Sequence, residues 1–139
     1  MVTPFTVLES AAMEAEALKR VLVVDDEEPI VDLLREVLAD QGYEVDAAPD
    51  ATRALDLIRE NIYDLAFLDF NLPDMDGVML HHQIRQIDPE LAASTVFMSG
   101  LAQSESNLGY YAAHSRGFLP KPFEVRDVLS AVRRVLDGE

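Results

Sequence analysis

The chain has 139 residues and a mass of 15.5 kDa, 49% of it hydrophobic and 27% charged, which fits one folded domain with a core of its own. It contains no cysteine, which excludes disulfides, zinc–thiolate sites and thiol catalysis. Acidic residues outnumber basic ones by 26 to 11, a formal charge of −15, so the general surface suits a cation or a basic protein partner and not the backbone of a nucleic acid.

Residues 1–19 form a leader or linker outside any regular pattern, and residues 20–139 form the domain proper. The first basic residue is Lys19, which argues against a signal peptide, and no apolar run approaches the ~20 residues of a membrane span. A cytoplasmic protein without direct membrane contact is expected. Val21-Leu22-Val23-Val24 is a short apolar run ending in acids. Ile30, Leu33, Leu34, Val37 and Leu38 then recur at helical spacing, with Pro29 suited to a first turn and Gly42 to a stop. Tyr43–Ala48 mixes acids with apolar residues, as an edge strand does. Asp50 is a natural N-cap for a helix carrying Ala51, Ala54, Leu55 and Ile58. Leu65–Leu68 is a second apolar run, closed by Asp69; Leu80, Ile84 and Ile87 form a helical stripe that ends before Pro89. Thr95–Met98 and Gly117–Leu119 are the remaining runs, closed by Ser99 and by Pro120-Lys121-Pro122. Ser104–His114 reads as a weak helix, and Val125–Leu136 as the final amphipathic one. Continuous apolar strands alternating with helices predict a parallel sheet covered on both faces and joined by right-handed crossovers.

In such a sheet, ligands bind beyond the carboxyl ends of the strands. The polar residues that interrupt the runs all fall there: Asp25 and Asp26, Asp69, Ser99 and Lys121. Three acids converging on one rim repel each other, and a divalent cation relieves that cost; an all-oxygen ligand set suits Mg²⁺ or Mn²⁺. Asp69 opposite such a pair is a candidate nucleophile, since carboxylates form acyl phosphates. Lys121 is placed to pair with Asp69 at rest and with a phosphoryl oxygen afterwards, and the Ser99 hydroxyl to bond that oxygen too. Glu27 and Glu28 read as acids at the positive end of the first helix. His81, His82 and His114 lack metal-binding spacing and read as surface or groove residues. No glycine-rich phosphate loop and no nucleophile elbow is present.

Together these residues resemble the receiver domain of two-component response regulators over residues 20–137. The resemblance is carried by Asp25-Asp26 after a valine-rich strand, by Leu68-Asp69 through Pro73 and Met75-Asp76-Gly77, by Ser99, and by Lys121-Pro122. It implies a flavodoxin-like α/β fold, (βα)5, with a doubly wound five-stranded parallel sheet in the order 2-1-3-4-5. It implies Asp69 as phosphoacceptor, and Asp26, Asp69 and the Asn71 carbonyl as Mg²⁺ ligands with Asp25 acting through water. Ser99 and Lys121 would bind the phosphoryl group, aided by backbone amides at Asn71 and Gly100. Ser99 and Phe118 would be the switch pair, with Phe118 where many members carry tyrosine. A cis Lys121-Pro122 bond is also implied.

The implied partners are a histidine kinase or phosphotransfer protein as donor, a downstream protein, and a second copy in a homodimer. Thr3–Leu8 weakly resembles the last strand of a histidine-kinase ATP-binding domain, so both a stand-alone regulator and the receiver of a hybrid kinase stay open. The competing functional readings are a receiver-fold binding module without phosphotransfer and a metal-dependent phosphatase.

Overall fold

The computed structural model describes residues 19–100 and 117–136. The elements in chain order are β1 (Arg20–Val24), α1 (Glu28–Asp40), β2 (Glu44–Ala48), α2 (Ala51–Glu60), β3 (Leu65–Asp69), α3 (Gly77–Ile87), α4 (Pro89–Ala93), β4 (Thr95–Ser99), β5 (Gly117–Pro120) and α5 (Val125–Leu136). The five strands form one parallel sheet in the order β2-β1-β3-β4-β5, as expected. The leader through residue 18 and the expected helix Ser104–His114 lie outside the described residues.

Side chains alternate across each strand, so the central strands feed two cores. Leu22, Val24, Ala66, Leu68 and Phe97 face α2 and α3, where Ala54, Leu55, Ile58, Leu80 and Ile84 meet them. Val21, Val23, Leu65, Phe67, Val96 and Met98 face α1 and α5, where Leu34, Leu38, Val128 and Val132 close the second core. Each buried Val, Leu, Ile, Phe or Met side chain among them contributes roughly 1.5–3 kcal/mol by leaving water. Strands that serve two cores must be apolar at every position, which is why they read as unbroken runs.

Local signals act where the sequence places them. Asp50 accepts a hydrogen bond from Arg53 N and starts α2. Gly42, at φ +88°, turns the chain after α1 in a conformation that glycine adopts without strain.

The structure corrects two expectations and adds one element to them. β5 is the second sheet edge, so Gly117 and Phe118 are half-buried and not enclosed on both faces. After α3, Asp88 caps a further short helix, α4, which buries Leu91 and Ala92. His81 is not a surface residue: it is 1% exposed, its Nε2 lies 2.7 Å from Ala92 O, and its ring meets Phe97 edge-on at 5.1 Å. An α4 that covers the inner side of α3 closes His81 in. His82, one position on, is exposed, and His114 lies outside the described residues.

Candidate phosphoacceptor site

The carboxyl ends of β1, β3, β4 and β5 bring the predicted residues to one rim. Asp25 follows β1, and its N–H extends the ladder to Ala48 O at 3.1 Å. Its Oδ1 accepts from Glu27 N at 2.9 Å, which fixes the turn into α1. Asp69 is the last residue of β3, and Phe70 N donates to Met98 O at 3.1 Å beyond it. Both acids are almost inaccessible, at 1% and 4% exposure. Phe70 turns inward to stack on Phe97 at 4.9 Å and 7°, anchoring the chain next to Asp69.

The loop after Asp69 is closed on itself. Gly77 N donates to Phe70 O at 2.8 Å, Asn71 bridges Asp76, and Asp76 caps α3 through Met79 N. Gly77 is required by fit: a Cβ there would lie 2.8 Å from Asp69 O and 2.9 Å from Phe70 Cα. At the loop tip, Asp74 accepts from Ala51 N, Thr52 N and the Thr52 hydroxyl at 2.8–3.0 Å. These bonds hold its carboxylate below the usual range.

Lys121 enters from the far side. Its N–H donates to Ser99 O at 2.8 Å, and the peptide bond to Pro122 is cis, as the resemblance implied. Its ammonium lies 2.6 Å from Glu27 Oε1, 2.9 Å from Asp25 Oδ2 and 3.4 Å from Asp69 Oδ1, with the lysine side chain 9% exposed. Ser99 is buried at the end of β4, in register with Pro120, and Phe118 is in register with Phe97. The half-buried Phe118 packs on the α2/α3-side core. Asp26, Glu27, Asp69, Asn71, Gly100 and Lys121 line an open groove of about 580 Å³.

The electrostatics are those of crowded acids. Burial, then the charge of Asp25, pushes Asp69 up to about 6 against the pull of Lys121. Burial also raises Asp25, with Lys121 and the Glu27 N–H opposing it. Burial alone would lower the Lys121 ammonium, but its close contacts with Glu27 and Asp25 and the charges of Asp25 and Asp69 carry it above its ordinary value.

Among the described residues, one ammonium thus faces three carboxylates. Asp25, Glu27 and Asp69 present oxygens within 4.8 Å of one another, and Asp25 Oδ2, although at ion-pair distance from Lys121, is buried without an aligned hydrogen bond. The unmatched negative charge and the all-oxygen donors fit a hard divalent cation.

The structure therefore gathers Asp25, Asp69, Ser99 and Lys121 and sets Asp26 and Asn71 at the groove beside them. The tight carboxylate cluster contains Glu27 and not the exposed Asp26. Sequence reasoning missed Glu27 because an acid at a helix start has an ordinary explanation. The signal available was its place directly after an acid pair at a strand end.

A family model described as the response regulator receiver domain matches residues 21–133. The chain is 30% identical over 119 residues to the chemotaxis protein CheY of Bacillus subtilis, covering 85% of this chain and 98% of that one. It is 32% identical over 117 residues to the regulatory protein VanRB of Enterococcus faecalis, covering 84% of this chain and 52% of VanRB. The chain thus spans about half the length of that relative. A CheY-like receiver domain protein from Methanospirillum hungatei superposes with a TM-score of 0.80 at 32% identity, covering 88% of this chain and 96% of the other. The beryllofluoride-activated NtrC4 receiver domain dimer superposes at 0.79 with 30% identity, covering 87% and 98%. With the fold, the acid-lined rim and the matched span in agreement, the chain belongs to the response regulator receiver domains.

Proposed function

We propose that Asp69 accepts a phosphoryl group from the phosphohistidine of a kinase or phosphotransfer protein, and that the modified rim is read by a partner or a second copy of the chain. The observation that carries this is the buried Asp69 carboxylate, 3.4 Å from a buried ammonium and opening on a groove flanked by further acids. An Asp69 oxygen attacks phosphorus, the new P–O bond forms as the P–N bond to histidine breaks, and the imidazole leaves with that electron pair. Lys121 supplies fixed positive charge to the phosphoryl oxygens. The Ser99 hydroxyl and the N–H groups of Asn71 and Gly100 donate to them.

Asp25, Asp26, Asp69 and the Asn71 carbonyl would hold Mg²⁺ or Mn²⁺, with Glu27 alongside; a bound cation neutralises phosphoryl charge during transfer. After transfer, a charge-assisted bond draws Ser99 inward and Phe118 follows into the space it leaves. A receiver fold acting without phosphotransfer is not favoured, since every position of the site is filled.

The test is intact mass after incubation with acetyl phosphate and Mg²⁺. Wild type should gain one phosphate and Asp69→Asn none; a gain that persists in Asp69→Asn overturns the assignment.

A further inference from the structure

Glu27 occupies the N-cap position of α1 yet makes no side-chain capping bond. Its carboxylate turns instead into the groove and accepts from Lys121 Nζ at 2.6 Å. That is the shortest of the three contacts the ammonium makes with acids, 0.8 Å shorter than its approach to Asp69 (3.4 Å against 2.6 Å). The Glu27 backbone is held beside the site by its N–H bond to Asp25 Oδ1, which keeps the side chain within reach of Lys121.

We propose that Glu27 is a positioning residue that draws the Lys121 ammonium away from Asp69 and so limits its delivery to an incoming phosphoryl group. The proposal rests on Asp69 being the phosphoacceptor. An ammonium has three protons, and Asp25, Glu27 and Asp69 already compete for them. A phosphoryl group on Asp69 adds further acceptor oxygens, and Lys121 must loosen its hold on Glu27 to reach them. The Glu27 side chain is more than half exposed, so the pair is soft enough to exchange. Its charge also stands within 4.8 Å of the Asp25 and Asp69 oxygens, where it opposes an anionic donor.

With acetyl phosphate as donor, the Asp69 Oδ–P bond forms and the P–O bond to the acetyl group breaks. The electron pair leaves with acetate, and no proton is transferred. A neutral residue at position 27 frees Lys121 for this step without touching either reacting atom.

The experiment compares initial rates of phosphate gain by mass in wild type, Glu27→Gln, Lys121→Met and the double variant, each checked for cooperative unfolding. Glu27→Gln should be faster by about threefold to tenfold, with most of that gain gone in the Lys121→Met background. A titration with beryllofluoride followed by NMR should show tighter binding to Glu27→Gln by a similar factor. Glu27→Ala serves as a second variant and should act in the same direction.

An equal or slower rate in folded Glu27→Gln overturns the proposal, as does unchanged beryllofluoride affinity. An equal gain with and without Lys121 also overturns it, because the effect would then be plain charge repulsion. A folded wild type that takes no phosphate defeats the reading of Asp69 itself. Phosphorylated wild type with an indifferent Glu27→Gln defeats only the role of Glu27.

Discussion

Asp69 carries its proton higher on the pH scale in the folded chain than in the unfolded one, and that difference is a statement about stability. Its ordinary value is 3.8, and in the fold it is about 6. Between the two, the folded state keeps a proton that the unfolded state has released, so the cation-free protein loses stability as pH rises through this window. The loss amounts to roughly 1–3 kcal/mol and is complete above the folded value. Asp25 is displaced in the same direction and adds to it. Asp69→Asn removes the Asp69 share. Urea unfolding in the presence of a chelator should therefore show the variant gaining on wild type from pH 4 to pH 7; parallel curves would refute the assignment. The residues at strand ends were legible in the sequence because an acid, a hydroxyl or an ammonium has no reason to close an apolar strand. Glu27 and His81 were not, since both depend on what a neighbouring element does: β5 delivers Lys121 to one, and α4 covers the other.

At the level of elements, the loop after β3 and the start of α2 are tied together by Asp74. α2 already has its own cap in Asp50, which serves Arg53 N. The bonds from Ala51, Thr52 N and the Thr52 hydroxyl to Asp74 therefore do more for the loop than for the helix. That loop carries Asn71 at one end, and the turn before α2 begins with Ala48, whose carbonyl holds Asp25 N. One exposed side chain thus ties the loop after Asp69 to the segment following β2, which in turn holds Asp25 N through Ala48 O. Asp74→Ala should leave α2 intact by circular dichroism, lower amide protection at Ala51 and Thr52 by roughly tenfold at most, and weaken Mg²⁺ binding. Unchanged exchange at both amides would show that the tie is idle. Helices with wide apolar stripes were legible from spacing alone. α4 was not, because five residues are too few to display a period, and Pro89 reads equally well as a stop or as a first turn.

Across the whole molecule, the sheet has two dissimilar poles. The carboxyl ends hold unbalanced acids; the amino ends hold a polar network around Arg20, whose Nε meets Glu44 Oε2 at 3.4 Å as an ion pair without an aligned hydrogen bond. Its Nη1 donates to Asn61, its Nη2 to Asp46 at 3.1 Å, and its backbone N to Asp64 at 2.9 Å. Tyr63 donates to the same Asp46 oxygen at 2.6 Å, and the guanidinium lies 5.4 Å from the Tyr63 ring centroid. Arg20 thus fastens the start of β1 to β2 and to the lead-in of β3. Arg20→Met should cost about 1–3 kcal/mol in chemical unfolding, less than a fully buried pair because both partners keep some contact with water. It should leave the rate of phosphate gain at Asp69 within about twofold of wild type, since additivity holds for distant sites. A large loss of rate in a stable variant would mean the poles communicate. The parallel sheet was legible because strands serving two cores cannot hide their composition. The exposure of β5 was not, because an apolar tripeptide at an edge and one in the centre look alike in sequence.

The missing side chain at position 77 has a meaning for inheritance. Alanine is the better helix former, by about 1 kcal/mol in a helix interior, so propensity alone would favour it over glycine in α3. The space it would need is occupied by the peptide that carries Asp69. Alanine there would have to displace that backbone, which costs the fold, and would carry Asp69 out of place with it. Selection at this codon therefore acts on the fold and on the position of Asp69 at once, and neither can be relaxed without the other.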